Sequence, residues 1–222
     1  MEALRPVVLE GTHVRLEPLS LLHLEPLSAI AARHRDTYRL TSVPEDASGM
    51  AAYLDIAFAQ ARAGLGLPFA TVERARGTVV GSTRFWNVEF WSWPPGHPSP
   101  RPEGVPDAVE IGYTWLAPEA QRTAVNTEAK LLMLAHAFER WDVHRVNLRT
   151  DVRNARSRAA IERLGARLDG VLRAHTPAAD GGIRDTATYS LLASEWPMAR
   201  ERLTSRLRAT HSGTGQPGAA SP

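Results

Sequence analysis

The stretch Val109-Glu110-Ile111-Gly112-Tyr113-Thr114-Trp115-Leu116-Ala117-Pro118-Glu119-Ala120-Gln121-Arg122-Thr123-Ala124-Val125-Asn126-Thr127-Glu128-Ala129 decides how this chain is read. Val109 to Leu116 is an apolar, β-branched and aromatic run of strand length. From about Asn126 to Trp141 the spacing turns helical. A strand that ends in a short loop and enters a helix presents free backbone N–H groups at the helix start. Those groups and the helix dipole favour an anion. Small loop residues let a pyrophosphate approach the backbone, and Arg122 adds a guanidinium at the mouth.

Outward from this unit the pattern is that of a mixed α/β domain. Upstream, His13 to Leu19 alternates as a strand, and Leu22 to Arg35 and Met50 to Ala63 follow helical spacing. Pro68 to Arg74 and Thr78 to Trp86 form a hairpin across Ala75-Arg76-Gly77. Downstream come a strand from Val143 to Asp151, a helix from Ala155 to Leu164 capped by Gly165, strands from Arg167 to His175 and Asp185 to Leu192, and a helix from Glu195 to Ala209. Residues 91–107 interrupt the pattern with a proline-rich loop. Trp91 and Trp93 stand at its stem, and Arg101, Glu103 and Asp107 add charge.

Composition narrows the class. In 222 residues, 43% are hydrophobic and 23% charged, as in ordinary globular proteins, so a disordered chain, a collagen-like fibre and a long coiled coil are excluded. No run of eighteen apolar residues is present, so no membrane span is expected. Cysteine is absent, which removes disulfides, thiolate metal sites and a cysteine nucleophile. A net charge of +2 is too balanced for a dedicated nucleic-acid binder. Lys130 is the only lysine; the other cations are arginines, which suit bidentate phosphate contacts. Met1 to Pro6 do not open a secretory signal, so the expectation is a cytoplasmic enzyme or binding domain.

The central unit resembles the GNAT superfamily of acetyl-CoA-dependent N-acetyltransferases. The family's pyrophosphate loop has the form Q/R-x-x-G-x-G/A, and Gln121 to Asn126 match it in register, with Ala124 and Asn126 in place of the small residues. Thr127-Glu128-Ala129 is similar to the triplet that follows it. Glu110 to Leu116 resemble the strand before the loop, Val146 to Asn154 the next strand, and Asn154-Ala155-Arg156-Ser157 with Leu164-Gly165 the helix after that. Asp185 to Leu191 are similar to the last strand of the RimJ/RimL branch, which acetylates ribosomal-protein N-termini. The resemblance runs from about Gly11 to Pro197. It implies a mixed, mostly antiparallel sheet of six to seven strands flanked by helices, in one domain over residues 1–209, with a disordered tail over 210–222.

It also implies acetyl-CoA as cosubstrate, no metal, and an amine acceptor, either a protein N-terminus or a small molecule such as an antibiotic. The backbone of Gln121, Arg122, Thr123, Ala124, Val125, Asn126 and Thr127 would hold the pyrophosphate, and Asn154 the pantetheine arm, although asparagine also serves as a plain helix N-cap. Arg156 and Arg158 are further phosphate candidates. An oxyanion donor is expected as a backbone N–H near Tyr113 to Leu116.

Glu110 is the candidate base or water-orienting carboxylate, against a surface strand glutamate, and Tyr113 its rival on the opposite phase of the strand. Many family members place a tyrosine acid where this chain has Ile161. Ser157 is therefore the candidate partner of the leaving thiolate, against a helix serine bonded to a backbone carbonyl. His136 reads as a core-edge histidine. Trp86, Trp91 and Trp93 with Phe85 and Phe90 would line an acceptor cleft, against the commoner case of an aromatic core cluster, and Trp91 and Trp93 would meet an acceptor or, in a homodimer, a second subunit. The alternative reading is a GNAT-fold binding or regulatory protein that holds CoA without turnover or has lost CoA altogether, and it rests on Ala124, Asn126 and the Ile161 in place of tyrosine.

Overall fold

The computed structural model describes residues 4–97, 102 and 104–212. Arg101, Glu103 and the tail beyond Ser212 lie outside them. The strands are β1 (Leu9–Glu10), β2 (Val14–Pro18), β3 (Gly66–Glu73), β4 (Thr78–Glu89), β5 (Ala108–Leu116), β6 (Arg145–Asp151), β7 (Arg167–Pro177) and β8 (Ile183–Leu192). The helices are α1 (Leu24–Ala31), α2 (Ala47–Arg62), α3 (Ala124–Ala135), α4 (Ala155–Arg163) and α5 (Trp196–Ser212). α3 ends in a π-helical turn, His136–Arg140.

The strands form one eight-stranded sheet in the order β1-β2-β3-β4-β5-β6-β8-β7, one more than the upper expectation. The extra strand is the two-residue β1, too short to show an alternation but fixed by Leu9 pairing with Leu16. Every pairing is antiparallel except that of β5 with β6. A layer of helix covers each face. On one, Phe69, Phe85, Ile111 and Val146 pack with Met133 and Leu134 of α3 and Leu203 of α5. On the other, Ala70 and Trp115 pack with Leu27 of α1 and Met50, Leu54 and Ala57 of α2. Burying a side chain such as Leu54 contributes about 2 kcal/mol.

Helix starts follow local chemistry. The side chains of Asp46, Thr123 and Asn154 accept the Gly49, Val125 and Ser157 amides respectively, fixing where α2, α3 and α4 begin. Gly165, at φ +99°, turns the chain out of α4 into β7.

Two irregularities shape the centre of the sheet. β5 and β6 pair only through Ala108–Glu110 and Arg145–Asn147, then separate. Between the pairs Arg84–Gly112 and Ser82–Trp115, β5 carries one extra residue, a bulge with Tyr113 at φ +51°. From Ile111 onward, therefore, the β6-facing edge of β5 has no strand partner.

Candidate active site

The separation of β5 from β6 opens into a cavity of about 1670 Å³, lined by β5, the loop into α3, β6, the start of α4 and the β7–β8 end. All ten sequence-derived site residues, Glu110, Gln121 to Thr127, Asn154 and Ser157, line it.

The loop half is mostly backbone. Gln121 holds the turn, donating from Nε2 to the Leu116 carbonyl (2.9 Å) and accepting from Arg156 Nη1 at Oε1 (2.8 Å). Arg156 also reaches the Thr37 carbonyl and lines the cavity. Arg122 is exposed at φ +61°, so the left-handed position falls on it and not on Ala124 or Asn126. Those two sit in the first helical turn with ordinary dihedrals, where alanine costs little and glycine is not required. Thr123 Oγ1 takes the Val125 amide, while the Ala124 and Asn126 amides have no acceptor within the helix. The side chain of Val125 is buried in the core. Asn154 is buried, caps α4 through the Ser157 amide (3.0 Å) and lines the cavity, so its two expected roles are compatible. Arg158 does not line the cavity; it donates to the Tyr189 hydroxyl at 2.9 Å.

The other half is made of side chains. Glu110 is only 3% exposed, which rules out a surface glutamate, and its Oε2 lies 3.2 Å from Arg149 Nε. Burial pushes its carboxyl above the ordinary carboxylate range, and the Arg149 cation opposes that shift without cancelling it. Arg184 and His175 line the same end. Burial also draws the Arg184 guanidinium below its usual value.

Alternation would put Tyr113 on the face opposite Glu110. The bulge instead turns it into the same cavity. Its ring meets Trp86 edge-on at 5.2 Å, and the Arg84 guanidinium lies 3.9 Å from its centroid. Arg84 is itself 1% exposed and wedged against Tyr53, with Gln60 accepting from Nη1.

Ser157 Oγ makes no hydrogen bond among the described residues, so the expected competitor, a bond to a backbone carbonyl, is not formed. Ile161 stands beside it in the lining.

The aromatics divide between the two readings, and the cleft role of Trp91 and Trp93 needs correction. Trp86 lines the cavity, but Trp91 and Trp93 do not. Buried Asp107 explains this: Oδ2 accepts from the Trp91 amide (2.6 Å) and Oδ1 from Trp93 Nε1 (2.8 Å), and both indoles pack on His144. Phe85 is core, packed against Phe69 and Trp141. His136 packs against Phe85 and Trp141, and burial lowers its pKa, as a core-edge histidine should.

Lys130 is the residue the sequence reading passed over. It is buried, lines the cavity, and donates from Nζ to Thr83 Oγ1 (2.9 Å) and Thr114 Oγ1 (2.7 Å). Burial brings its ammonium down to about 7. A signal was present: Lys130, the sole lysine, stands three and four residues before Met133 and Leu134, on the apolar stripe of α3. Glu128 was also read only as part of a motif. Its carboxylate accepts the Thr12, His13 and Val14 amides at 2.9, 2.6 and 2.8 Å, bolting α3 to the β1–β2 turn.

Among the described residues no group of three or more His, Asp or Glu is arranged to hold a metal ion, and no helix is long and apolar enough to cross a membrane. Comparison with known proteins agrees with the geometry. Residues 13–167 match the acetyltransferase (GNAT) domain. A Bacillus subtilis (strain 168) protein named "Putative ribosomal N-acetyltransferase YdaF" is 37% identical over 88 residues; the match spans 40% of this chain and about half (47%) of that relative. A GCN5-related N-acetyltransferase from Brucella melitensis superposes with a TM-score of 0.76 at 28% identity, covering 91% of this chain and 86% of its own. Mycobacterium smegmatis RimJ, solved in complex with CoA-disulfide, shares the fold at 23% identity, with a TM-score of 0.71 over 91% of this chain and 92% of its own. With a family match over more than half its length, on a sheet that opens between β5 and β6 beside the start of α3, the chain belongs to the GNAT acetyltransferase family.

Proposed function

We propose that the protein transfers an acetyl group from acetyl-CoA to a primary amine, by direct attack in a ternary complex. The observation that carries this reading is the juxtaposition of two features in one cavity. Uncapped amides at the start of α3 suit a pyrophosphate, and the unpaired edge of β5 offers N–H groups to a thioester oxygen.

In this reading CoA lies over the backbone of Arg122 to Thr127, with Asn154 against the pantetheine arm and Arg156 near the phosphates. A thioester carbonyl held at the β5 edge between Tyr113 and Leu116 develops negative charge as the amine attacks. Fixed N–H groups in a water-poor cleft stabilise that charge. Glu110 removes a proton from the attacking ammonium, directly or through a water. Burial raises its pKa and so moves it towards a useful base. The Ser157 hydroxyl hydrogen-bonds the departing sulfur. No metal is required.

The favoured acceptor is a protein N-terminus, a reading supported by the "ribosomal N-acetyltransferase" in the name of the Bacillus subtilis relative; a small-molecule amine is the other candidate. The protein acts in the cytoplasm, where ribosomal proteins and acetyl-CoA meet. The alternative, a CoA holder without turnover, rested on Ala124, Asn126 and Ile161. The ordinary dihedrals at the first two weaken it.

Calorimetry with acetyl-CoA, followed by CoA release against peptides with ribosomal-protein N-termini and a panel of small amines, tests the reading. Binding with release is expected. Binding with no release for any amine favours the holder, and no binding leaves a GNAT-fold regulatory protein that has lost CoA.

A further inference from the structure

Lys130 has no place in the reaction just described, yet it is the one side chain of the cavity that belongs to the acceptor's own chemical class. It is a primary amine, and the chain contains no other lysine. We propose that Lys130 Nζ is itself an acetyl acceptor, so that the protein self-acetylates at this position when acetyl-CoA is bound and no amine substrate is present. The inference rests on acetyl-CoA binding in the proposed site.

Position argues for it first. Lys130 Nζ is 2.7 Å from Thr114 Oγ1, and Thr114 lies in the stretch of β5 that has parted from β6, the stretch whose amides are proposed to hold the thioester. An acyl group held by those amides is within the sweep of a lysine side chain anchored at the same residue.

Hydrogen bonding argues for it next. Nζ donates to two hydroxyls, Thr83 Oγ1 and Thr114 Oγ1, which are themselves 2.8 Å apart. A neutral amine has two N–H donors and one lone pair, so this arrangement uses both donors and leaves the lone pair over. An ammonium would carry a third N–H with no acceptor.

Electrostatics agrees. The groups bonded to Nζ are Thr83 of β4 and Thr114 of β5, and neither is charged. The nearest carboxylate in sequence, Glu128, is committed to the three amides of the β1–β2 turn. Burial is accordingly the whole cause of the lowered lysine pKa. An amine with a substantial free fraction at neutral pH is the nucleophile that attack on a thioester needs.

The step balances without any further reagent. The Nζ lone pair forms the N–C bond to the thioester carbonyl carbon, and the C–S bond breaks with its electron pair on sulfur. The proton lost from nitrogen ends on the CoA thiol. The product amide keeps one N–H, so it no longer binds both threonines. Its acetyl group also takes up room beside the β5 bulge, so modification should switch turnover off.

The test uses the purified full chain incubated with acetyl-CoA alone, followed by tryptic mass spectrometry. Acetylation blocks cleavage after Lys130, so the expected product is a single acetylated peptide running from Thr123 to Arg140. Lys130→Arg should yield no acetyl group in this region. Labelling should run at least about tenfold faster in the folded protein than in the urea-unfolded chain, because the site holds donor and amine together. Its rate should level off with a midpoint near pH 7, whereas the unfolded chain's lysine keeps gaining reactivity towards its ordinary 10.5. An unmodified Lys130 in protein that binds acetyl-CoA and releases CoA with an added amine overturns the inference and spares the proposed function. Equal labelling of folded and unfolded chains overturns it as solution chemistry. Absence of acetyl-CoA binding removes both.

Discussion

On the α3 side of the cavity the lining comes from one unbroken stretch, Gln121 to Thr127, and what it offers is largely main chain. On the opposite side it comes from side chains brought together from β4, β5, β6, β7 and β8: Trp86, Glu110, Tyr113, Arg149, His175 and Arg184. The first half needs only a strand, a turn and a capped helix start, and in the proposed reading it tolerates Ala124 and Asn126 because amides would do the contacting. The second depends on register, on a bulge and on a buried charge pair. Backbone sites therefore accept sequence drift, while side-chain sites are sensitive to single atoms.

The largest effect should fall on the bolt that holds the tolerant half in place. Glu128→Ala leaves three amides of the β1–β2 turn without their acceptor. A loss of about 4 kcal/mol is expected, since removing one partner of a buried charged network typically costs that much. Urea unfolding measures it. Glu128→Gln should lose less, because one amide oxygen remains to accept. A stability change below about 1 kcal/mol in the alanine variant would show the bolt to be dispensable and the contrast between halves overdrawn.

The second break is aimed at the sensitive half. Glu110→Gln keeps the shape and removes the base. Turnover per encounter, kcat/KM, should fall about 100-fold, the lower range for general-base catalysis, with acetyl-CoA affinity unchanged. The pH dependence has a definite sign. Only the ionised carboxylate accepts a proton, and burial raises its pKa above the ordinary 4.5. The wild-type rate should therefore drop as pH falls through that raised value. Arg149→Met removes the opposing cation and should move the drop to still higher pH. A pH profile that is the same in Glu110→Gln as in the wild type would assign the proton to another group.

The contrast between halves also explains which features were legible in the sequence. The fold could be read because Gln121-Arg122-Thr123-Ala124-Val125-Asn126 and Asn154-Ala155-Arg156-Ser157 are local signals. Each is a turn followed by a capped helix start, contained within a few residues. The ten proposed site residues share one cavity for the same reason. Side-chain convergence was not legible. Tyr113 joins Glu110 only through a bulge, which strict alternation cannot express. Trp91 and Trp93 look like cleft aromatics in sequence, but Asp107, fourteen or more residues away, pins them elsewhere. β1 is two residues long and exists only through its pairing with β2. Lys130 sits on an apolar helix stripe, where a long cation is ordinarily assumed to escape to solvent; here two threonines from β4 and β5 hold it in.

A smaller effect should come from crowding the tolerant half. Ala124 occupies the first turn of α3, against the cavity, with its amide unpaired inside the helix. Ala124→Val adds two methyl groups where a pyrophosphate must come close to the main chain. Acetyl-CoA affinity should weaken about tenfold, worth about 1.4 kcal/mol. The melting temperature should hardly change, because the new methyls face open space. Unchanged affinity would mean that the phosphates lie elsewhere. A variant that loses both affinity and stability would mean that the loop is less tolerant than its backbone character suggests.

The smallest expected effect is at Ser157, where the two halves meet. Its amide is committed to the Asn154 cap, but its hydroxyl has no hydrogen-bond partner among the described residues and borders the cavity beside Ile161. A hydroxyl left without a partner in the folded protein has little structural work to lose. Ser157→Ala should therefore leave stability and acetyl-CoA affinity essentially unchanged. If the hydroxyl bonds the sulfur, the bond strengthens as the leaving group gains charge, so the cost appears in kcat and kcat/KM together. One such hydrogen bond is worth about 1 kcal/mol, a slowing of about fivefold. The leaving-group origin can be isolated by comparing wild type and variant over a series of amines of increasing basicity. A weakly basic amine is itself readily expelled from the tetrahedral intermediate, so sulfur departure limits the rate most for the weakest nucleophiles, and the gap between the two proteins should widen towards that end of the series. A gap that stays constant across the series, or no gap at all, would return Ser157 to the α4 cap and leave the thiolate to be protonated by solvent.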